Sequence, residues 1–152
     1  MRSKQDGHYR RPALTVDGVV VCRPTEKGQH RIPVVLLIER GQEPFQGRYA
    51  LPGGFVDYGE DIDAAVHREV AEETGLTGLT FDQFHTFGGP DRDPRGHTVS
   101  VVYVAVIDGD PPPVAGGDDA AAAAWFPVDR LPGLAFDHDK ILARILATFN
   151  TE

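Results

Sequence analysis

Three glutamate residues, Glu69, Glu72 and Glu73, lie close together in a stretch that reads GGFVDYGEDIDAAVHREVAEETGL over residues 53–76. Apolar residues recur in this stretch at three- and four-residue intervals, which predicts a helix over residues 61–74. With about 100° of rotation per residue, the three carboxylates share one arc with the apolar side chains of that helix. The acids therefore continue the apolar stripe, and we expect them to face inward rather than toward solvent.

Clustering these carboxylates has an energetic cost that something must offset. Each like-charge pair on an exposed helix costs about 0.2–0.5 kcal/mol, and a desolvated pair costs more. The acids also lie near the helix C-terminus, where the helix dipole disfavours negative charge. A hard divalent cation bound by oxygen ligands would offset both effects. The alternative is a solvated acidic helix end balanced by Arg68; the inward placement, the two glycines and Arg68 together favour the cation site.

Helix-capping residues bound this stretch, and strand-like runs surround it. Asp61 is a suitable N-cap, and Gly75 stands where a helix ends in the left-handed region. Runs rich in β-branched residues predict strands over residues 13–22, 32–38, 79–87 and 97–107, with shorter strand character over 49–56. The second of these runs is continuously apolar, as in a strand covered on both faces. A bulge is expected at Gly18.

The C-terminal part of the chain contains one conflict. Residues 120–124 are all alanines, which favour a helix by propensity, but the Trp-Phe-Pro that follows suits a short strand. Residues 138–149 predict an amphipathic helix, which His138 is expected to cap or pack against rather than serve as a base. Strands mixed with two helices predict an α/β sandwich, with helices on both faces of a mixed sheet. We expect residues 1–11 to be a flexible tail, 23–31 a polar turn and 12–150 one domain.

Composition narrows the class of protein. At 152 residues, with 41% hydrophobic and 25% charged residues, the chain is typical of a soluble globular domain. Its polar, basic N-terminus is unlike a signal peptide, and no segment approaches membrane-spanning length. The lone Cys22 fits a reducing compartment, so we expect a cytoplasmic protein with no membrane partner. A net charge of -8 argues against a nucleic-acid partner, and an anionic substrate would require metal ions and local arginines.

The spacing Gly-x5-Glu-x7-Arg-Glu-apolar-x-Glu-Glu-x-Gly-apolar resembles the signature box of the Nudix hydrolases at every position. The matching residues are Gly54, Glu60, Arg68, Glu69, Val70, Glu72, Glu73, Gly75 and Leu76. The likeness includes the preceding Leu51-Pro52-Gly53 and covers roughly residues 12–150. It implies a Nudix-like α/β/α sandwich. It also implies an enzyme that hydrolyses a nucleoside diphosphate linked to another moiety with Mg²⁺, for which Mn²⁺ can substitute.

The resemblance also implies roles for the matching residues. The implied metal ligands are Glu69, Glu72, Glu73 and the backbone carbonyl of Gly53. Arg68 would orient the carboxylates through charge-assisted hydrogen bonds, and Glu60 would support the cluster, so these two join Glu69 and Glu72 in the catalytic set. Oxygen ligands suit hard cations, which can bridge a diphosphate, neutralise developing charge and lower the pKa of an attacking water.

A narrower resemblance concerns the substrate. The segment GPDRDPRGHTVS over residues 89–100, the segment 40–45 and AFDH over residues 135–138 are similar to bacterial and archaeal ADP-ribose pyrophosphatases. This implies cleavage of ADP-ribose to AMP and ribose 5-phosphate, and a homodimer, since many such enzymes are dimeric. The candidate substrate contacts are Arg40, Arg48, Arg92, Arg95 and Phe45, because guanidinium groups suit phosphate oxygens and an aromatic ring can stack on adenine. For the arginines, a loop held by its own ion pairs is an equal alternative; for the ring, the alternative is packing.

The chain departs from the family pattern in its alanine run at 120–124. Many Nudix enzymes carry a glutamate in this region as a metal ligand or base. Asp118 and Asp119 are the nearest substitutes here, although they stand early in the sequence. The general base is therefore left open, with a box glutamate, Glu69 or Glu72, as the preferred choice.

Two other functions remain as alternatives to an ADP-ribose pyrophosphatase. The first is a house-cleaning nucleoside triphosphate pyrophosphohydrolase, which would use the same box on a different substrate. The second is a non-catalytic ADP-ribose sensor. Regulators of that kind carry an additional DNA-binding winged-helix segment, for which we expect no room in this chain, and the negative charge is unfavourable for DNA.

Overall fold

The computed structural model describes residues 4–5, 8–24 and 32–149. In chain order, the elements are β1 (Lys4–Gln5), β2 (His8–Tyr9), β3 (Ala13–Arg23), β4 (Val34–Arg40), β5 (Tyr49–Ala50), β6 (Gly53–Phe55), α1 (Ile62–Thr74), β7 (Asp82–Phe87), β8 (Thr98–Asp108), β9 (Ala120–Pro127) and α2 (His138–Phe149). The first two strands pair only with each other, and the other seven form one sheet.

The central pair of the sheet, β3 and β8, is parallel, and all other strand pairs in it are antiparallel. The strand order is β5-β4-β3-β8-β7, with β6 also paired to β3 and β9 to β4. The predicted mixed sheet is therefore confirmed. Both central strands are rich in valine, whose branched side chains pack well on a pleated surface covered from both sides.

The sheet opens between β3 and β4, and this opening creates the site. These two strands pair only through Val21 and Cys22 with Val35 and Val34. Nearer its start, β3 pairs instead with β6. The turn between β5 and β6 crosses the opening, where the carbonyl oxygen of Pro52 accepts the Gly18 N–H over 2.8 Å. Backbone groups that would otherwise lack a partner are thus satisfied while a cavity forms.

The two helices cover opposite faces of the sheet, as predicted. Helix α1 packs through Val66 and Val70 against Val16, Val20 and Leu36. Helix α2 packs through Ile141, Leu142 and Ile145 against Val19, Val21, Val35 and Leu37 on the other face. Side chains alternate between faces along a strand, so the continuously apolar runs in β3 and β4 supply both cores. No helix in the described residues is long and apolar enough to span a membrane.

Several local predictions can be compared with the structure. The alanine run forms a strand because β9 pairs with β4 along its length, with Leu36 opposite Trp125, and this tertiary pairing overrides helix propensity. The bulge expected at Gly18 is wrong, since β3 and β8 keep one register through it. A glycine is needed there because a Cβ atom would lie 2.9 Å from Val70 Cγ2 of α1.

Two predictions fall partly outside the described residues. Residues 25–31 of the expected polar turn are not described. Within the expected tail, Lys4–Gln5 and His8–Tyr9 form the short antiparallel pair β1–β2, and residues 1–3 and 6–7 are not described.

Candidate active site

Helix α1 begins and ends as its sequence predicts. The Asp61 carboxylate accepts the Asp63 N–H over 2.8 Å as an N-cap, and Gly75 closes the helix with φ 80°, its N–H donating to the Ala71 carbonyl. The helix begins beside the loop that follows β6, and its C-terminal half lies alongside the opening in the sheet. These caps fix where α1 begins and ends, and the C-terminal half of the helix carries the three glutamates that line the cavity.

Glu73 is the most deeply buried of these acids, with 5% of its surface exposed. Its Oε1 accepts the Gly53 N–H over 2.7 Å. Burial raises the pKa of Glu73 to about 8, the hydrogen bond from Gly53 opposes that shift, and the neighbouring charges of Glu69 and Asp17 add to it. A buried carboxylate beside other carboxylates is the environment that a bound cation would stabilise.

Arg68 gathers the remaining acids of the box. Its Nε donates to Glu60 Oε2 over 2.7 Å, and its Nη1 donates to Glu69 Oε1 over 2.9 Å and to Glu72 Oε2 over 3.2 Å. The hydrogen bond from Arg68 is the main reason that the pKa of Glu60 falls to about 2. For Glu69, burial outweighs the contact with Arg68, and its pKa is raised. The guanidinium therefore orients three carboxylates by charge-assisted hydrogen bonds.

The inward placement predicted for the three acids differs among them. Glu73 is buried and the Glu69 side chain is 13% exposed, but the Glu72 side chain is 41% exposed and lies at the rim. A helix of 3.6 residues per turn spreads these positions over an arc, so its edge reaches solvent. Glu73, Glu69 and Glu72 therefore form an acidic wall of the cavity, in which exposure increases in that order from the interior to the cavity mouth.

Whether this wall fits a divalent cation can be judged from its chemistry. Among the described residues, no group of three or more His, Cys, Asp or Glu side chains is already arranged around one metal position. The donors are nevertheless all oxygens, and Glu73 is buried with its charge poorly compensated. The backbone of β6 also approaches the Glu69 carboxylate closely, since a Cβ on Gly54 would lie 2.7 Å from Glu69 Oε1. The residues Glu69, Glu72, Glu73 and Gly53 fit a hard cation.

A cavity of about 390 Å³ is lined by these acids and also by Arg40, Arg92 and Arg95. The Arg40 and Arg95 guanidinium carbons lie 4.9 and 5.4 Å from the centre of the Phe136 ring. Arg95 also lies 4.9 Å from the ring centre of Phe55. Burial and the neighbouring Arg95 lower the pKa of Arg40. An anionic group could therefore bridge the acidic wall, through a cation, and the two guanidinium groups.

The other predicted substrate contacts are placed differently. Phe45 and Arg48 do not line this cavity. The Phe45 ring packs edge-on against Phe136 at 4.9 Å between ring centres, and the guanidinium carbon of Arg48 lies over the Phe45 ring, 5.7 Å from its centre. For Phe45, the packing alternative describes the structure. Phe45 supports Phe136, whose ring meets the arginines.

Two ion pairs hold the loop between β7 and β8, one within the loop, as the alternative interpretation of its arginines expects, and one to Asp137 outside it. Arg92 lines the cavity, but it makes a two-pronged contact with Asp137 at 2.8 and 3.0 Å, and its side chain is 8% exposed. Arg95 pairs with Asp93 at 2.8 Å and is 41% exposed. Burial alone would raise the pKa of Asp93, but the hydrogen bonds from Arg95 hold it below its ordinary value. Arg92 thus holds the loop against Asp137, next to the start of α2, while Arg95 also lines the cavity.

Several polar residues that were not selected as site residues also line the cavity, among them Asp17, Asp118, Asp119 and His138. Asp118 adopts φ 53°, uncommon for a non-glycine residue, and its charge contributes to the raised pKa of Glu69. Asp119 accepts a hydrogen bond from Gln42 over 3.0 Å. The polar Asp17 interrupts the apolar run of β3, and this interruption was the available signal.

Comparison with known proteins agrees with this geometry. The model of the NUDIX domain family matches residues 13–149, and the chain belongs to this family. It is 45% identical to an ADP-ribose pyrophosphatase of Methanocaldococcus jannaschii, an alignment that covers 88% of this chain and 73% of the relative. Both the predicted family and the sandwich fold are confirmed. Nudix hydrolases use a divalent metal, and the acidic wall is where this chain offers suitable ligands.

Two further relatives are linked to ADP-ribose by their names, and one of them is a transcriptional repressor. The chain is 33% identical, over 97% of its length, to an ADPR-responsive transcriptional repressor of Acinetobacter baylyi, and spans only 58% of that protein. The solved NUDIX domain of Shewanella oneidensis NrtR in complex with ADP-ribose superposes with a TM-score of 0.83 at 28% identity, covering 96% of this chain and 94% of that one. The same domain therefore occurs in enzymes and in regulators.

Proposed function

We propose that this protein hydrolyses ADP-ribose to AMP and ribose 5-phosphate in a Mg²⁺-dependent reaction, with Mn²⁺ able to substitute. The observation that carries the proposal is the cavity itself, which buried Glu73 and its neighbouring acids line together with the guanidinium groups of Arg40 and Arg95. The identity to an archaeal ADP-ribose pyrophosphatase supports the choice of substrate.

Each part of the cavity has a role in this proposal. Glu69, Glu72, Glu73 and the carbonyl of Gly53 would hold the metal, which supplies charge neutralisation and an acidified water when bound. Arg68 and Glu60 keep the carboxylates in place. Arg40 and Arg95 would bind phosphate oxygens. Arg92 would hold the loop that carries Arg95 through its ion pair with Asp137. Phe45 would pack against Phe136, and Arg48 would lie over the Phe45 ring.

The general base is proposed from three carboxylates at the cavity. Glu69 and Glu72 remain the preferred choices, and the position of Asp118 adds a third. Proton abstraction requires a group within hydrogen-bond reach of the attacking water, so its removal should abolish the acidic limb of the pH–rate profile. Comparing the profiles of Glu69→Gln, Glu72→Gln and Asp118→Asn identifies which carboxylate that limb reports.

A sensor function is the second candidate, because one relative is a transcriptional repressor that responds to ADP-ribose and another binds ADP-ribose in its solved structure. In that case the cavity would bind ADP-ribose without cleaving it. In a regulator of this kind, DNA would be bound by a different domain, because this one is acidic.

A substrate panel with Mg²⁺ separates these functions. ADP-ribose, an oxidised nucleoside triphosphate and a dinucleoside polyphosphate are compared by kcat/KM, with and without metal. The proposal expects the highest value for ADP-ribose and none without metal. Preference for the triphosphate would favour the house-cleaning alternative, and tight ADP-ribose binding without turnover would favour the sensor. Light scattering on the same sample tests the proposed homodimer.

A further inference from the structure

The turn between β5 and β6 is tied to elements on both faces of the sheet. The Leu51 N–H donates to Nδ1 of His138, the first residue of α2, over 3.0 Å. Two residues later, the Gly53 N–H donates to Glu73 Oε1 of α1 over 2.7 Å. Between them, the carbonyl of Pro52 accepts a hydrogen bond from β3. Consecutive residues of one short turn therefore join α2, β3 and α1.

The histidine in this arrangement has a defined tautomer. His138 is 4% exposed, and burial lowers its pKa, so the ring is neutral at physiological pH. Because the Leu51 N–H donates to Nδ1, that nitrogen is the acceptor and the proton lies on Nε2. Nε2 faces Asp17 Oδ1 at 3.7 Å, an electrostatic contact longer than a hydrogen bond. The hydroxyl of Ser100 donates to the other oxygen, Asp17 Oδ2.

The same aspartate limits the position of Gly53. A Cβ atom on Gly53 would lie 2.2 Å from the Val16 carbonyl oxygen and 2.6 Å from Asp17 Oδ1, so only a glycine backbone can pass this close to β3. Asp17 thus contacts the turn directly at Gly53 and indirectly through His138 at Leu51. The side chains of Asp17 and His138 are 10% and 6% exposed, which leaves them little room to rearrange.

We infer that His138, held by Asp17 and Ser100, is a positioning residue that places the Gly53 backbone and Glu73 for metal binding. His138 belongs to α2, on the opposite face of the sheet from α1, so α2 contributes to the site in addition to packing. The inference rests on the proposed function in that it takes Gly53 and Glu73 to be metal ligands. A histidine that only filled space would make no difference to the metal beyond its effect on stability.

The test measures binding of Mn²⁺ alone by electron paramagnetic resonance, with purified protein and no nucleotide. His138→Leu keeps the bulk but loses the acceptor, and we expect the Mn²⁺ dissociation constant to rise about tenfold or more, as when a group supporting a metal ligand is lost. His138→Asn offers an amide oxygen near the place of Nδ1, and we expect it to recover most of the affinity. Ile145→Val, a core change in the same helix, should lower the melting temperature and leave Mn²⁺ affinity unchanged.

Three results would overturn the inference. They are wild-type affinity in His138→Leu, a failure of His138→Asn to recover affinity, or an equal loss in Ile145→Val at a matched drop in melting temperature. Should the leucine variant not fold, His138→Gln replaces it, because its longer side chain misplaces the amide oxygen; equal Mn²⁺ affinity in the asparagine and glutamine variants then overturns the role. Amide exchange at Leu51 provides an independent measurement and should accelerate whenever affinity falls.

The same samples distinguish this inference from the proposed function. A wild-type protein that binds Mn²⁺ with the expected dependence on His138, yet leaves ADP-ribose intact, supports the positioning role and contradicts the proposed hydrolysis. A protein that cleaves ADP-ribose with metal while Mn²⁺ affinity ignores His138 does the reverse.

Discussion

At the scale of single residues, the chemistry centres on a carboxylate whose environment opposes its charge. Glu73 is buried, and its pKa is raised to about 8 mainly by that burial. In the unfolded chain the same group titrates near its ordinary pKa of 4.5. The folded, metal-free protein therefore binds more protons than the unfolded chain between these values, and its stability falls as the pH rises through this window.

Replacing Glu73 with glutamine should remove this loss of stability. With EDTA present, we expect Glu73→Gln to be more stable than wild type by on the order of 5 kcal/mol at pH 9, since the pKa is raised from 4.5 to about 8 and each pKa unit corresponds to about 1.4 kcal/mol, and to differ little at pH 4. The amide oxygen can still accept the Gly53 N–H. Urea unfolding across the pH range measures the difference, with Asp82→Asn as an exposed control. The same gain at pH 4 and pH 9 would contradict the buried titration.

Two arginines from one loop should respond differently to replacement. Arg92 is buried against Asp137, so Arg92→Met leaves an unpaired acid and should cost on the order of 2–3 kcal/mol of stability. Arg95 is more exposed and faces the cavity, so Arg95→Met should raise KM several-fold for the proposed substrate. Asp93 keeps its hydrogen bond from the backbone N–H of residue 95 in this variant, so the loss of stability should be smaller. Thermal unfolding and initial rates measured on both variants decide this assignment. The opposite pattern would reverse the two roles.

At the scale of elements, two glycines show how the strands serve packing and chemistry separately. A Cβ on Gly18 would meet Val70 of α1 at 2.9 Å, whereas one on Gly54 would meet the Glu69 carboxylate at 2.7 Å. We expect Gly18→Ala to lower the unfolding free energy by about 1–3 kcal/mol through overpacking, while the remaining folded protein keeps its kcat. Gly54→Ala should instead lower kcat by displacing Glu69, with less effect on stability. Equal melting temperatures for the two variants would argue against this division.

The elements also show what can be predicted from local sequence. Helix α1 could be predicted with both ends, because its apolar period, Asp61 and Gly75 are all contained within the stretch. The strand at the alanine run could not be settled, because its conformation comes from pairing with β4, far away in the chain. The contact between Asp17 and His138 was missed for the same reason, since the two residues lie far apart in the chain and only the folding of the sheet brings them together.

At the scale of the whole molecule, the site is where both faces of the sandwich meet. Binding of metal or substrate should therefore stabilise the whole domain against unfolding. We expect Mg²⁺ at one hundred times its dissociation constant to stabilise the wild-type protein by about 2.7 kcal/mol, and the stabilisation to be strongly reduced in Glu73→Gln. Melting temperatures with Mg²⁺ or EDTA measure this linkage. Equal stabilisation of both proteins would show that the ion binds elsewhere.

The negative charge of the molecule makes the metal central to the proposed reaction, because a diphosphate must approach an acidic wall. The most direct test is the Mg²⁺ dependence of ADP-ribose cleavage by wild type and Glu73→Gln, with products separated by chromatography. We predict AMP and ribose 5-phosphate from wild type only when metal is present. In Glu73→Gln we predict a fall in kcat of about a hundredfold or more, since a bound metal lowers the activation barrier by several kcal/mol. Undiminished turnover in Glu73→Gln, or cleavage that ignores the metal, would contradict the account.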